Sequence, residues 1–271
     1  MDNHTIPEEL AQLNALVKQV AKEELQPRFN RVSRQYKRDG SPLTEADIAC
    51  HHCLEDRLSE IWPDKGFLSE ELDVEQQQRV LDEHKDGIWV VDPLDGTNNF
   101  ANGIPYYCSS VALVTPEDTQ MACIYDPTRD ECFSAKLGEG AWLNGHRLSL
   151  KDNDASTEHS LLLANVGRLP RELRKKVVED QPFCTARHFG ASALDWCWMA
   201  LGRGHQCLHG GQNFWDYAAG ELIFREAGGL SQTLDGEPVF SYSLEQRSVL
   251  AANNQNLFEQ LRKLLDSRLA S

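Results

Sequence analysis

The stretch Ile88–Lys136, IWVVDPLDGTNNFANGIPYYCSSVALVTPEDTQMACIYDPTRDECFSAK, decides how this chain folds. Ile88–Asp92 is a β-branched run that meets a proline and turns. Residues 107–115, 120–126 and 131–136 read as three successive strands. The turns between them fall at Pro116-Glu117-Asp118 and Pro127-Thr128-Arg129-Asp130. Upstream, GFLSEE (66–71) reads as a short buried strand ending in two carboxylates. Residues 72–86 are polar and predict a solvated helix or a mobile loop. Thr44 is the predicted N-cap, with Asp47 three residues on, of a helix whose Ile48, Leu54, Leu58 and Ile61 lead to Trp62. Residues 8–36 carry a helical stripe of Leu10, Leu13, Val17, Val20 and Ala21. Downstream, strands are predicted at 160–166, 205–209 and 248–253, with an extended segment closing at 185–190. Helices are predicted at 170–180, Ala191–Leu201, along FWDYAAGELIFREAGG, and at 254–268. The pair Gly228-Gly229 stops the third of these. Helices and strands mix without a regular βαβ alternation. That predicts a layered α+β fold with antiparallel and mixed sheets, not a plain dinucleotide-binding sheet. No repeat or linker divides the chain, so 1–271 reads as one unit.

The 271 residues are 41% hydrophobic and 25% charged, enough for a large core. Asp and Glu outnumber Lys and Arg by 42 to 27, a formal net charge of −15. Such a surface repels phosphate backbones, so general nucleic-acid binding is disfavoured. It also repels small anions, and an anion site here needs local positive charge such as bound cations. MDNHTIPEEL has no basic or apolar leader pattern, and no stretch nears the roughly 20 apolar residues of a membrane span. A cytoplasmic protein without membrane association is predicted. Eight scattered cysteines, several inside apolar runs, predict buried free thiols. Cys50-His51-His52-Cys53 invites a zinc reading. Four adjacent helical residues cannot all reach one ion and no second CxxC exists, so a helix surface is predicted there.

The strongest chemical signal is Asp92-Pro93-Leu94-Asp95-Gly96-Thr97. A buried strand delivers Asp92, Pro93 forbids its continuation, and Gly96 gives backbone freedom where the chain must come close to something. Two carboxylates facing one cavity repel unless a cation lies between them. Carboxylates and a backbone carbonyl suit a hard cation such as magnesium. The competing reading is an Asp-rich turn that only caps backbone groups. Phosphatases with D-x-D-x-T, whose first aspartate is phosphorylated, have a different spacing.

DPLDGTNNFANGIPYY (92–107) resembles the signature of the inositol monophosphatase family. Trp215-Asp216-Tyr217-Ala218-Ala219-Gly220 resembles its second signature. Asp39-Gly40-Ser41-Pro42 with Thr44–Asp47, Ser69-Glu70-Glu71, and YDPTRDECFSAKLGEGAWLNG (125–145) are similar to further family elements. The resemblance covers nearly the whole chain. It implies a layered α-β-α-β-α sandwich, with two closely packed lobes near 1–150 and 151–271. It implies that Glu70, Asp92, Asp95, Asp216 and the Leu94 carbonyl hold two or three magnesium ions. Asp47 and Thr97 would position a water, with Glu70 and a metal lowering its pKa. Asp95, Gly96, Thr97, Gly190, Ala191, Ser192, His209 and Asp216 would lie against the substrate. It also implies a homodimer and inhibition by lithium.

The chemistry of phosphoryl transfer agrees, since paired metals neutralise phosphate oxygens, activate water and stabilise the leaving oxygen. A helix starting near Gly190 could add free N–H groups to the phosphate or sugar site. Asp47 and Asp216 each have a second reading, as acids capping a first helical turn. His209 departs from the pattern: inositol-selective members carry a glutamate there that contacts the polyol. The partner is thus a small phosphorylated metabolite, with inositol 1-phosphate leading. Histidinol phosphate, fructose 1,6-bisphosphate and 3′-phosphoadenosine nucleotides stay open. So do a regulatory role with transcription machinery and metal binding without turnover.

Overall fold

In the computed structural model of the chain, which describes residues 5–31, 35–36, 42–150, 156–179 and 183–266, the first helix, α1 (Glu8–Val20), buries Leu10, Leu13, Leu16, Val17 and Val20. The sequence predicts helical character to residue 36. The helix instead continues as one π-helical turn, Ala21–Leu25, and closes in a 3-10 turn, Gln26–Arg28. Pro27 accounts for the stop, since it has no N–H to donate and its ring crowds the carbonyl four residues back. Of the motif starting at Asp39, residues 39–41 lie outside the described residues, as do 267 and 268 of the last predicted helix.

A two-residue ladder of β1 (Gln35–Tyr36) and β2 (Pro42–Leu43) leads into α2 (Glu45–Ile61). Then come β3 (Gly66–Ser69), α3 (Val74–Glu83), β4 (Ile88–Asp95), α4 (Thr97–Ala101), β5 (Cys108–Val114), β6 (Thr119–Asp126), β7 (Glu131–Lys136), β8 (Gly140–Leu143) and β9 (His146–Leu148). The second half holds β10 (Leu161–Ala164), α5 (Arg171–Glu179), β11 (Thr185–Arg187), α6 (Ser192–Ala200), β12 (Gln206–Gln212), α7 (Phe214–Glu226), β13 (Leu230–Gln232), β14 (Arg247–Ala252) and α8 (Gln255–Asp266). The polar stretch 72–86 is thus largely helical. Asp73 caps α3 in a reciprocal box with Gln76, and Gln77 and Leu81 face inward.

Strands β3 to β9 form one sheet in chain order, antiparallel except for the parallel pair β3–β4. The second sheet has the order β11-β10-β12-β14-β13, with parallel and antiparallel pairs mixed. Side-chain alternation sorts the core into layers. On β4, Trp89 and Val91 pack under α1 and α2, with Leu13, Val17, Leu54 and Leu58. Ile88 and Val90 face the other way, toward α6 and α7. Leu163, Cys207 and Val249 of the second sheet close that middle layer. Leu162, Leu208 and Leu250 on its far face pack with Leu173 of α5 and Leu261 of α8. The fold is the expected α+β sandwich, α-β-α-β-α. Fully burying each such aliphatic or aromatic side chain stabilises the fold by about 1.5–3 kcal/mol.

All eight cysteines are free, as predicted, and six are buried; Cys53 is half-buried and Cys184 is exposed. The helix-surface reading of Cys50–Cys53 is corrected for two residues. Cys50 and His51 are buried, because α2 turns that side to the first sheet. Cys50 Sγ donates to the Pro93 carbonyl at 3.3 Å and His51 Nδ1 lies 2.9 Å from Ser69 Oγ. Only His52 is exposed. No helix among the described residues is long and apolar enough to cross a membrane.

Candidate active site

In a regular strand, residues three apart point to opposite faces. Asp92 and Asp95 escape this through a bulge. Asp92 pairs with Ser110 and Asp95 with Cys108, so three steps on β4 match two on β5. The surplus residue falls in Pro93-Leu94. Pro93 has no N–H to lose, and its carbonyl accepts from Ser109 Oγ at 2.7 Å. Leu94 N–H donates to Asp92 Oδ1 at 3.0 Å. Carboxylate oxygens of Asp92, Asp95 and Asp216 come within 4.8 Å of one another. Gly96 follows at φ +92°, and a Cβ there would stand 2.9 Å from the Tyr106 carbonyl. Both the left-handed backbone and that close approach require glycine.

Each of the two capping acids serves its helix; Asp216 also lines the cavity, and Asp47 reaches it through Thr97. Asp216, at the third position of α7, accepts from Asn213 N–H at 2.8 Å through Oδ2. Asp47 Oδ2 accepts from Thr44 N–H at 2.7 Å and Thr44 Oγ1 at 2.6 Å. Its Oδ1 lies 3.0 Å from Thr97 Oγ1, which is also 3.0 Å from the Leu94 carbonyl. Thr97 has one hydroxyl proton for those two acceptors. A cation held by the Leu94 carbonyl would leave that proton to Asp47 and the Thr97 oxygen free to accept. Glu70 follows β3. The pairing of Ser69 with Val91 carries it to the same sheet end as Asp92, and its N–H donates to the Val91 carbonyl at 3.1 Å.

Burial, reinforced by the facing carboxylates, pushes the Asp92 and Asp95 carboxyls well above the usual carboxylate range. Asp216 is pushed up to about 7 by burial and by Glu70. Burial also raises Asp47, against the hydrogen bonds from Thr44 and Thr97. A buried set of oxygen donors that repel one another fits a hard divalent cation. Glu70, Asp92, Asp95, Asp216 and the Leu94 carbonyl could hold one or more such ions.

These residues line a cavity of about 1000 Å³, joined by Gly96, Thr97, Gly190, Ala191, Ser192 and His209. Asp47 lies behind Thr97. The helix predicted from Ala191 begins at Ser192, and its Ala193 N–H is already taken by Asp95 Oδ2 at 2.6 Å. That hydrogen bond ties the two halves of the chain together at the site. Asn99 does the same, donating to the carbonyls of Tyr106 at 2.8 Å and Phe189 at 2.7 Å. Sequence reasoning missed Arg168, His188 and Asp195, which also line the cavity. Asp195 accepts from the Tyr106 hydroxyl at 2.6 Å, and burial pushes it up to about 7. No motif surrounds Arg168 or His188, so only the folded arrangement brings them to notice.

Comparison with known proteins places this geometry. The family model described as "Inositol monophosphatase family" matches residues 2–270. The chain belongs to the inositol monophosphatase family. A relative named Nus factor SuhB, from Xylella fastidiosa, is 35% identical over 193 residues, which span 69% of this chain and 66% of that protein. An inositol-1-monophosphatase from Mesorhizobium japonicum is 33% identical over 239 residues, 84% of this chain and 86% of that one. Among solved structures, the IMPase of Thermotoga maritima superimposes with a TM-score of 0.83 at 25% identity, covering 97% of this chain and 99% of that one. The inositol monophosphatase fold therefore runs through the whole described chain.

Proposed function

We propose that this chain is a magnesium-dependent phosphatase of small phosphate monoesters, acting by direct attack of water on phosphorus. The observation that carries the reading is the trio of buried Asp92 and Asp95 with half-buried Asp216, set beside the Asp47–Thr97 pair. Metal binding alone accounts for the trio. Metal binding does not require the Thr97 hydroxyl held 3.0 Å from Asp47, whereas positioning a water does. Bound magnesium would neutralise the phosphate oxygens, lower the pKa of the attacking water and stabilise the leaving oxygen. Asp47 holds Thr97, Thr97 would orient the water, and Glu70 with a metal would lower the water's pKa. Gly96 lets the backbone approach the phosphate, while Gly190, Ala191, Ser192 and His209 flank the rest of the substrate. Inositol 1-phosphate belongs in the first substrate panel on the strength of the Mesorhizobium relative's name. The proposal takes the chain as one unit of two lobes meeting at the cavity, and as a cytoplasmic homodimer, a state that sedimentation tests.

The Xylella relative, named a Nus factor, supports a second reading, a regulatory partner of transcription machinery. Phosphate release from a substrate panel, with magnesium or with chelator, separates the two. Turnover that chelator abolishes supports the phosphatase. Well-folded protein that releases none, yet associates with transcription proteins, supports the second.

The acidic trio also makes the metal visible without turnover. The Asp216 carboxyl, raised from 3.8 to about 7, favours its protonated form in the folded chain. Its contribution to stability is therefore complete below about pH 4 and lost as pH rises through about 7. Asp92 and Asp95, also raised, act in the same direction. Magnesium removes this repulsion, so it should raise Tm more at pH 8 than at pH 6. At about one hundred times its Kd, one ion adds about 2.7 kcal/mol, or roughly 5–10 °C for a chain of this size. Thermal melts at the two pH values check this, and equal magnesium shifts would place the ion elsewhere.

A further inference from the structure

Arg168 is the one Lys or Arg among the described residues that line the cavity, amid many carboxylates. Its guanidinium donates to the Gly211 carbonyl at 3.1 Å, forms no ion pair within 4 Å among the described residues, and acts on Asp216 only as a more distant charge that offsets part of its rise. The position is built. Arg168 ends a 3-10 turn, Val166–Arg168, seated on β12 where a Cβ at Gly210 would fall 1.7 Å from the Arg168 carbonyl oxygen. The ladder of β12 with β14 shifts register between His209 and Gln212, and such bulges re-aim side chains. Here the bulge turns Gly211 N–H onto His209 Nδ1 at 3.1 Å. An imidazole whose Nδ1 accepts carries its proton on Nε2. His209 is 8% exposed, lines the cavity, and presents that Nε2–H without a partner among the described residues. His188 lines the same region, near enough for the Arg168 charge to oppose its protonation. Asn165, three residues before Arg168, adds an amide.

This corner offers N–H donors and a fixed positive charge. A polyol hydroxyl needs no cation, and a cationic substrate would be repelled. The complement is an acceptor-rich anion. We propose that Arg168, His209, His188 and Asn165 form a subsite for a second anionic group, so that the favoured substrates are phosphate monoesters bearing another phosphate or a carboxylate. This rests on the phosphatase reading and narrows its substrate class. The cavity of about 1000 Å³ has room for a bisphosphorylated sugar.

The test compares matched pairs: fructose 1,6-bisphosphate with fructose 1-phosphate, and 3-phosphoglycerate with glycerol 3-phosphate. Wild type should show kcat/KM at least roughly tenfold higher for the two-anion member of one pair, about 1.4 kcal/mol. The first pair reports a phosphate, the second a carboxylate. Arg168→Gln should cut that ratio by about tenfold, chiefly through KM. His209→Glu, which replaces a donor with a charged acceptor, should cut it too. Turnover with ratios near one in both pairs would overturn the subsite and leave the phosphatase reading standing, as would a ratio unmoved by Arg168→Gln. Calorimetric Kd values for the same compounds, with magnesium and Asp47→Asn protein, read the ratio without turnover. Equal Kd values within both pairs overturn the subsite even if wild type releases no phosphate.

Discussion

Asp95→Asn should fold, should lose magnesium stabilisation, and should release phosphate at least on the order of 10³-fold more slowly than wild type. An asparagine carbonyl can still accept the Ala193 N–H that Asp95 Oδ2 accepts at 2.6 Å, so the junction between β4 and α6 survives. Its amide then faces Asp92 and Asp216 in place of an anionic oxygen. Removing one of three mutually repelling carboxylates should leave the chelated protein as stable as wild type or more so, above about pH 7. The same change deletes a cation ligand. Metal ions contribute several kcal/mol of transition-state stabilisation, and about 4 kcal/mol is a factor on the order of 10³. Phosphate release and thermal melts with and without magnesium measure both effects on one sample. A variant that keeps the magnesium shift in Tm removes Asp95 from the metal set.

Asp47→Asn should lose about 10²-fold or more in kcat, the scale at which a misplaced reacting group costs rate, while keeping the magnesium shift. Asp47 stands outside the trio, and its oxygens serve Thr44 and Thr97. The asparagine carbonyl can still accept from Thr44 and cap α2, which limits the stability cost to about 1–2 kcal/mol. The new amide donates toward Thr97 Oγ1 and occupies the lone pair a water would use. The two variants therefore separate: one loses metal and rate, the other rate alone. Wild-type turnover in Asp47→Asn would sink the water-positioning role.

The parts legible in the sequence carry local signals. WVVDPLDG predicts a strand that stops at Pro93, but β4 runs on through Pro93 to Asp95, because a bulge that no periodicity reveals takes up the surplus residue and brings Asp92 and Asp95 to one side. Thr44 with Asp47 reads as a capping box, and the cap is present. The second reading of Asp47 and Asp216 as caps is also satisfied, because a carboxylate has two oxygens and each cap uses one. The helical reading overran at its end, where the helix closes at Arg28 after Pro27 and Gln35–Tyr36 form a strand. The burial of His51 was hidden because its partner, Ser69, lies on another element. Arg168 and His188 had no local signal. The place of Arg168 depends on a turn seated on Gly210, a contact between segments more than forty residues apart.

Phosphate release from inositol 1-phosphate, fructose 1,6-bisphosphate, histidinol phosphate and 3′-phosphoadenosine 5′-phosphate, with magnesium or chelator, tests the phosphatase reading most directly when wild type runs beside Asp95→Asn. Magnesium-dependent release from at least one compound by wild type, abolished by chelator and by the substitution, is the predicted outcome. No release from any of the four by folded protein in magnesium, or equal release by wild type and Asp95→Asn, would contradict a metal-dependent phosphatase built on Asp92, Asp95 and Asp216.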